Sequence, residues 1–315
     1  MKRKNIIVIG GGTGTYTVLS GLKEYPVNLT AIVSMADDGG STRILREEFG
    51  ILPPGSVRPA LVALSNAPET LSEIFNFRFA KGTFKGHNFG NLFITALTEQ
   101  FGNFEKALGE AGRLLNIQGE VIPSTLQHIR LVAKLENGKL IEGETEIDVP
   151  KHDGRLKIQK IWLSPKAKAN PKALLAVKEA DLIVLGPGDL FSSVIPNLLV
   201  QGVPGAIKKS RAKIVFVCNI MTKFGETTGF SAEDFLNALE KYLGKNIVDC
   251  LVVNKTKPLK ARVKKYEKEK AEFVRYDKKK LQKRVKEVIE ADLLRSQGFI
   301  RHDSDKLAKV LFSLV

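Results

Sequence analysis

The sequence predicts an α/β protein with a Rossmann-like, doubly wound, mostly parallel sheet, and three observations support this prediction. Residues 5–9 form a short, largely β-branched apolar run that ends in glycines, which is typical of a strand buried on both faces of a parallel sheet. Residues 15–23 have helical apolar spacing and precede a second apolar run at 29–33, giving a β-loop-α-β unit. Helical and strand-like segments then continue to alternate.

The later elements follow the same pattern. Helices are predicted near 59–64, 69–79, 88–101 and 104–115, and strands at 182–185, 214–217 and 248–253. Between about 120 and 163, alternating strands with turn signals at 136–138 and 152–154 predict a small antiparallel β insertion. A basic segment from about 255 to 315 is predicted to be helical and to end in a helix at 305–314 capped by Ser304. We expect residues 1–315 to form a single domain.

Composition narrows the function classes. The chain has 315 residues, of which 43% are hydrophobic and 26% charged, as in ordinary globular proteins. No apolar run reaches the roughly 18 residues of a membrane span, and the N-terminal run is too short for a signal peptide. Cys218 and Cys250 lack C-x-x-C spacing and the four histidines lack metal spacing, so we expect no disulfide framework, no bound metal and a cytoplasmic location.

The net charge of +15 is concentrated in one segment. Residues 255–286 contain 15 Lys/Arg and 4 Asp/Glu. A single lysine-rich run of this kind is more typical of a solvated helical face than of a nucleic-acid groove. Nucleic acid is therefore not an expected partner.

A glycine loop follows the first predicted strand. Residues 10–14 read Gly-Gly-Gly-Thr-Gly, and such a loop before a helix presents free N–H groups and the positive end of the helix dipole to a phosphate. The dinucleotide fingerprint G-x-G-x-x-G is incomplete because residue 15 is threonine, which disfavours an NAD dehydrogenase. The alternative is a glycine turn without a ligand. The candidate binding residues are Gly11, Gly12, Thr13 and Gly14.

The loop after the second predicted strand carries two adjacent acids. Its candidate binding residues are Asp37, Asp38, Gly39, Gly40, Ser41 and Arg43. The glycine and serine amides and the arginine suit a phosphate, and either aspartate could hold Mg²⁺ or accept a proton. The alternative is that Asp38 or Ser41 only caps the next helix.

Three further polar loops are predicted at the same sheet edge, because ligands of open α/β sheets bind outside the C-terminal strand ends. Their candidate residues are His87, Asn88 and Asn91 in the first loop; Gly186, Pro187, Gly188, Asp189 and Ser192 in the second; and Asn219, Thr222 and Glu226 in the third. Asn88 could also cap a helix. The sequence contains neither a P-loop nor a nucleophile elbow, which disfavours simple ATPases and esterases.

Taken in order, the motifs resemble those of the bacterial YvcK family, the so-called gluconeogenesis factors, which are related to the 2-phospho-L-lactate transferases (CofD). The matching segments are 10–14, 36–41, 52–55, 86–91, 186–190, 196–198, 225–227 and 301–303. The resemblance covers nearly the whole chain. It implies a Rossmann-like core that binds UDP-N-acetylglucosamine (UDP-GlcNAc), and a role in cell shape and wall synthesis during growth on gluconeogenic carbon sources.

The resemblance also adds two binding residues, Tyr266 to stack on the base or ribose and Arg301 to pair with the diphosphate. It implies a regulator without catalytic residues and with no required cofactor, whose partners would include cell-wall synthesis proteins. The sequence leaves the oligomeric state open, with a homodimer as one alternative. The alternative is a CofD-like phospholactyl transferase with a nucleoside-diphosphate donor, in which Asp37 or Asp38 would hold Mg²⁺.

We expect the basic segment to bind nucleic acid only as any polycation does. The aromatic residues of its lysine-rich run, 255–286, are Tyr266, Phe273 and Tyr276, too few to alternate with the charges as in single-strand stacking platforms. Fluorescence polarisation with labelled oligonucleotides should show weak binding that falls steeply with added salt. Tight, sequence-sensitive binding at physiological salt would contradict this expectation.

Overall fold

The computed structural model describes residues 3–315, apart from the side chains of Lys265 and Glu267. Within this range the strands are β1 (Lys4–Gly10), β2 (Val27–Val33), β3 (Glu120–Pro123), β4 (Arg130–Leu135), β5 (Leu140–Glu142), β6 (Ile158–Ser164), β7 (Leu182–Leu185), β8 (Lys213–Val217), β9 (Cys250–Asn254) and β10 (Glu287–Ala291). Seven of them form a sheet in the order β10-β9-β8-β7-β1-β2-β3, and all its pairings are parallel.

This strand order confirms the Rossmann-like prediction. The chain builds outward from β1 through β2 to β3, then returns to the other side of β1 and continues from β7 to β10. The order therefore reverses between β1 and β7. Ligands of doubly wound sheets bind at this switch point, outside the carboxyl ends of the strands.

Helices cover the sheet. They are α1 (Gly12–Leu22), α2 (Gly40–Phe49), α3 (Pro54–Leu64), α4 (Glu69–Asn76), α5 (Phe89–Phe101), α6 (Phe104–Leu114), α7 (Glu144–Asp148), α8 (Pro171–Glu179), α9 (Ile195–Leu198), α10 (Val203–Lys209), α11 (Ala232–Leu243), α12 (Lys260–Glu267), α13 (Lys278–Leu281) and α14 (Ser304–Phe312), with one π-helical turn at Leu190–Val194. Residues 6–9 of β1 and all of β7 are buried, as expected for central strands covered on both faces. No helix within residues 3–315 is long and apolar enough to cross a membrane.

The antiparallel insertion is shorter than predicted. Strands β5, β4 and β6 form a separate three-stranded antiparallel sheet, which begins at Arg130 and ends at Ser164. The segment Glu120–Pro123, which we had assigned to the insertion, is instead the edge strand of the main sheet and pairs in parallel with β2. Four residues are too few for strand alternation to distinguish the two sheets.

The basic C-terminal segment also differs from the prediction. It contains the short helices α12 and α13, and also β10, which extends the main sheet beside β9. The last helix begins at Ser304, but its cap is Asp303, whose carboxylate accepts hydrogen bonds from the amides of Asp305 and Lys306. Asp303 and Ser304 are both good caps, so local sequence alone could not decide between them.

Helices α1 and α14 pack closely through a glycine. A Cβ on Gly21 would lie 2.8 Å from the Ser304 carbonyl carbon and 2.9 Å from the Ala308 Cβ. A bulkier residue would therefore push α14 away from α1.

We predict that Gly21→Ala lowers the free energy of unfolding by about 1–3 kcal/mol because of this overlap. The matched control is Gly109→Ala in the middle of α6, where a Cβ would meet nothing within 4 Å. This control should stabilise the protein by about 0.5–1 kcal/mol, since alanine favours helix. Chemical denaturation measures both changes, and a stabilising Gly21→Ala would contradict the packing described.

Candidate functional site

A large cavity lies at the switch point, where β1 and β7 end. Its volume is about 930 Å³, and its walls include the loops after β1, β2, β7 and β8, the start of α7, and parts of the C-terminal segment. Thirteen of the candidate residues predicted from sequence line it: Gly11, Gly12, Thr13, Gly14, Asp37, Pro187, Gly188, Asp189, Ser192, Asn219, Thr222, Tyr266 and Arg301. Parallel strands bring these loops together from distant parts of the chain.

The loops after β1 and β7 touch each other through backbone atoms. A Cβ on Gly14 would lie 2.5 Å from the Pro187 carbonyl carbon and 2.9 Å from the Gly188 nitrogen. Any larger residue at position 14 would force the two loops apart. The glycine therefore serves close packing of the two loops as well as chain flexibility.

Two buried or half-buried asparagines fix these loops. The Asn219 side chain donates to the Gly188 carbonyl at 2.9 Å and accepts from the Gly188 amide at 3.4 Å. The Asn197 side chain, fully buried in α9, donates to the Gly10 carbonyl at 3.1 Å. Each glycine loop is thus held by a side chain from a neighbouring element.

The start of α1 is suited to an anion. Its N-cap is Gly11, which supplies no side-chain cap, and Gly12 has a positive φ of 59° that glycine adopts without strain. The first-turn amides of α1 therefore have no side-chain acceptor from the cap residue, and the cavity lies beside them. Such amides and the helix dipole favour a phosphate.

The adjacent acids Asp37 and Asp38 have different surroundings. Asp37 lines the cavity, and its Oδ1 accepts from the Gly39 amide at 2.9 Å. Burial raises the pKa of Asp37, and hydrogen bonds from Gly39 and Thr42 partly offset this. Asp38 does not line the cavity; its Oδ1 accepts from the Thr145 amide in the first turn of α7 at 2.9 Å. Asp38 therefore caps α7, a helix distant in the sequence, and does not cap α2, the helix that follows it.

The other acidic-loop candidates lie outside the cavity walls. Gly39 is the N-cap of α2, and Gly40, Ser41 and Arg43 occupy its first turn. Ser41 is buried and Arg43 is exposed. Gly186 also lies outside, and its amide donates to the Ile9 carbonyl at 3.0 Å.

His87, Asn88 and Asn91 likewise lie outside the walls. The Asn88 side chain caps α5 by accepting from the Asn91 amide, as its spacing predicted. Asn91 Oδ1 accepts from Arg58 Nε at 3.2 Å. Asn91 still lies close to Asp37. A Cβ added to Gly55, which lines the cavity, would lie within 3.5 Å of both side chains.

Lys223 sits among three carboxylates, an arrangement that the sequence did not reveal. Its Nζ lies 2.7 Å from Asp189 Oδ2 and 3.6 Å from Glu226 Oε1, and it also pairs with Asp148. Oxygens of the three acids all lie within 4.8 Å of one another. Because the Lys223 ammonium pairs with all three acids, this ion-pair cluster joins α7, the loop after β7 and the loop after β8.

Glu226, which does not line the cavity, also holds the turn after β7 in place. Its Oε2 accepts from the amides of Phe191 and Ser192 at 2.9 and 3.1 Å, and its Oε1 accepts from the Ser192 hydroxyl at 2.8 Å. Burial, followed by the charge of Asp189, raises the pKa of Glu226 to about 8. Burial also lowers the pKa of Lys223, but the surrounding carboxylates outweigh it and the net shift is upward. Glu226 thus acts on the loop backbone, not on the cavity surface.

Glu144, the first residue of α7, also lines the cavity. Burial, followed by the negative charges of Asp37 and Asp148, raises its pKa to about 9. The carboxyl group is therefore protonated at neutral pH. It becomes a hydrogen-bond donor in a cavity otherwise rich in carboxylates.

The basic C-terminal segment supplies another part of the cavity wall. Tyr266 accepts from the Ile300 amide at 2.7 Å through its hydroxyl, and Arg301 lies over the Phe299 ring at 5.1 Å. His302 follows, with only 8% of its surface exposed. The predicted residues Tyr266 and Arg301 therefore line the same cavity as the glycine loop after β1, from which they are more than 250 positions distant along the chain.

Sequence reasoning missed several lining residues, among them Ser56, Glu144, Asp148, Ser193, Lys223, Phe224, Glu269 and His302. Lys223 precedes the recognised segment 225–227 and His302 lies within the recognised segment 301–303, so their positions were a usable signal. Glu144 and Asp148 lie in the predicted antiparallel insertion, to which no site residue was assigned. Only the folded insertion shows that α7 turns toward the sheet edge.

Comparison with known proteins gives consistent matches. A family model described as 2-phospho-L-lactate transferase CofD matches residues 6–294. A putative gluconeogenesis factor from Aquifex aeolicus is 43% identical over 100% of this chain and 98% of its own. The gluconeogenesis factor of Bacillus subtilis is 38% identical over 100% and 99%. A crystal structure of a UPF0052 family member from Bacillus halodurans superposes with a TM-score of 0.94 at 42% identity, covering 99% of both chains.

We predict that Glu144→Gln stabilises the protein at high pH. The folded pKa of about 9 lies above the ordinary 4.5, so the folded state retains a proton that the unfolded chain releases. The wild type therefore loses stability as the pH rises from about 4.5 to 9. Glutamine removes this loss, so the variant should be more stable by about 1–3 kcal/mol at pH 8 and equal at pH 4.

Denaturant unfolding across this pH range measures the difference. The control is Glu146→Gln on the same helix, whose carboxylate pairs with Lys151 at 2.6 Å and which should show no gain at high pH. A Glu144→Gln difference that does not change with pH would contradict the protonated state of Glu144.

Proposed function

The chain belongs to the family of the 2-phospho-L-lactate transferase CofD and the gluconeogenesis factors, and on this basis we propose that it is a regulatory protein that binds UDP-GlcNAc in the switch-point cavity. The proposal has the protein respond to the level of this nucleotide sugar without consuming it. Its cellular role would be in cell shape and wall synthesis during gluconeogenic growth, in the cytoplasm.

The observation that carries the proposal is the pair of glycine loops in contact across the switch point. The first-turn amides of α1 and the loop of Gly188 face one cavity, which suits a diphosphate. The volume of about 930 Å³ is at the upper end of the roughly 300–1,000 Å³ that small-molecule pockets span. A nucleotide joined to a sugar needs a large pocket of this kind.

Under this proposal, Asp37 and Glu144 are the residues that would hold Mg²⁺. Asp37 and Glu144 both line it, and the charge of Asp37 helps to keep Glu144 protonated. A divalent cation would favour the ionised form of both groups, and carboxylate oxygens are ligands that Mg²⁺ prefers. A bound ion would neutralise charge on the diphosphate. Asp38 is not available for this role because it caps α7.

The alternative function is phospholactyl transfer from a nucleoside-diphosphate donor. The description of the family model and the position of Asp37 in the cavity favour it. The names of the relatives that match nearly the whole chain, gluconeogenesis factors, favour the regulator. The two proposals differ in whether Asp37 orients a ligand or supports turnover.

We predict that UDP-GlcNAc raises the melting temperature. At about 100 times its dissociation constant, a ligand that binds only the folded state adds roughly 2.7 kcal/mol, which corresponds to several degrees in a chain of this size. Differential scanning fluorimetry with UDP-GlcNAc, NAD and GDP at equal concentrations tests the assignment. A melting curve that moves with NAD or GDP but not with UDP-GlcNAc would overturn it.

We also predict that Asp37→Asn weakens UDP-GlcNAc binding by about 1–3 kcal/mol, the value of a hydrogen bond to a charged group. The matched control is Asp38→Asn, which keeps an oxygen to accept from the Thr145 amide and should bind nearly as well as the wild type. Calorimetric titration measures both affinities.

Mass spectrometry of the wild type with Mg²⁺, candidate donors and acceptors separates the two functions. Under the regulator proposal no donor is consumed. Consumption that Asp37→Asn abolishes without loss of donor affinity would establish the transferase instead.

A further inference from the structure

Arg262 in α12 binds the backbone of the loop at 295–301, whose last residues line the cavity. Its Nη1 donates to the Arg295 carbonyl at 2.7 Å and to the Ser296 carbonyl at 3.3 Å. Its Nη2 donates to the Phe299 carbonyl at 2.9 Å. Three carbonyls of one loop therefore converge on a single guanidinium, whose planar fork suits several acceptors and whose charge strengthens each bond.

The same loop is closed at its base by backbone contacts. The Arg295 amide donates to the Arg301 carbonyl at 3.0 Å, and Leu294 forms an isolated antiparallel bridge with His302. Because Arg262 binds the carbonyl of that same Arg295, it holds the closed base of the loop as well as its turn.

Tyr266, one helical turn after Arg262, makes a further contact with the loop. Its hydroxyl accepts from the Ile300 amide at 2.7 Å. Val263 and Tyr266 also pack against the small apolar cluster that contains Ile300. Helix α12 and the loop thus form one unit, which presents Tyr266, Ile300 and Arg301 to the cavity.

Arg262 itself does not line the cavity. Its Nε is buried and has no hydrogen-bond partner among the described residues, so the side chain lies between α12 and the loop and does not extend into solvent. Arg301 is exposed, and its guanidinium lies over the Phe299 ring at 5.1 Å. An exposed arginine on a loop has a defined position only where the backbone beneath it is fixed.

We propose that Arg262 is a positioning residue for the nucleotide-sugar site: by holding the loop at 295–301 against α12, it places Arg301 for the diphosphate. This inference rests on the proposed function and on the pairing of Arg301 with the diphosphate, and it adds a residue that acts without touching the ligand. Because the loop is ordered before the ligand arrives, binding does not include the entropic cost of ordering it.

Three single substitutions separate the geometry of Arg262 from its charge. Arg262→Gln removes the guanidinium, and Arg262→Lys keeps the positive charge but lacks the planar fork that reaches all three carbonyls. Lys264→Gln is the matched control, because Lys264 is exposed on the same helix and its loss changes the net charge equally. Calorimetric titration with UDP-GlcNAc measures the affinities. Hydrogen–deuterium exchange of residues 295–301 measures the order of the loop without ligand.

We expect Arg262→Gln to bind UDP-GlcNAc about tenfold more weakly than the wild type, as for one lost hydrogen bond to a charged group. The amides of Arg295 and Ile300 should exchange faster in this variant. Arg262→Lys should recover little of the affinity, and Lys264→Gln should bind like the wild type. When Arg262→Gln is combined with Arg301→Gln, the double variant should bind about as weakly as Arg301→Gln alone, because Arg262 acts through Arg301.

Several results would overturn the positioning role. They are wild-type affinity in Arg262→Gln, full recovery in Arg262→Lys, additive losses in the double variant, or an equal loss in Lys264→Gln, which would assign the effect to charge alone. Faster exchange throughout the chain in Arg262→Lys would also contradict it, since that indicates general unfolding. These results leave the proposed function intact, whereas a wild type that binds no UDP-GlcNAc would overturn the proposed function and this inference with it.

Discussion

The cavity and the amides that face it depend on the close backbone approach between the loops after β1 and β7. Gly14 lies so near Pro187 and Gly188 that no larger residue fits, and Asn219 holds Gly188 through two hydrogen bonds. Because the strand order reverses at this point, the approach leaves a cavity directly outside two central strands. Amides from two loops then face one space, which a single glycine turn could not achieve.

Ion pairs and a helix cap attach the other walls of the cavity to these loops. Lys223 joins α7 to the loops after β7 and β8 through three carboxylates, and Asp38 holds the first turn of α7 from the loop after β2. The insertion is therefore tied to the sheet edge at two points. The attachment buries Glu144 and brings it near Asp37, and burial followed by the charge of Asp37 raises the pKa of Glu144.

The sequence was sufficient for the fold class and for the glycine loops, because buried parallel strands and the turns after them are local patterns. It could not separate Asp37 from Asp38, since adjacent residues on a loop point in directions that only the tertiary structure defines. It placed β3 in the wrong sheet because four residues contain too little periodicity. The partners of Arg262, backbone carbonyls 33 to 37 positions later in the chain, have no signature in the sequence at all. Long-range ion pairs such as Lys223 with Asp148 escape prediction for the same reason.

The most direct test of the central claim is a crystal structure of the protein with UDP-GlcNAc. The account predicts diphosphate oxygens within hydrogen-bonding distance of the amides at the start of α1 and in the loop of Gly188. A ligand bound outside the switch-point cavity, or one whose diphosphate lies away from both glycine loops, would contradict it.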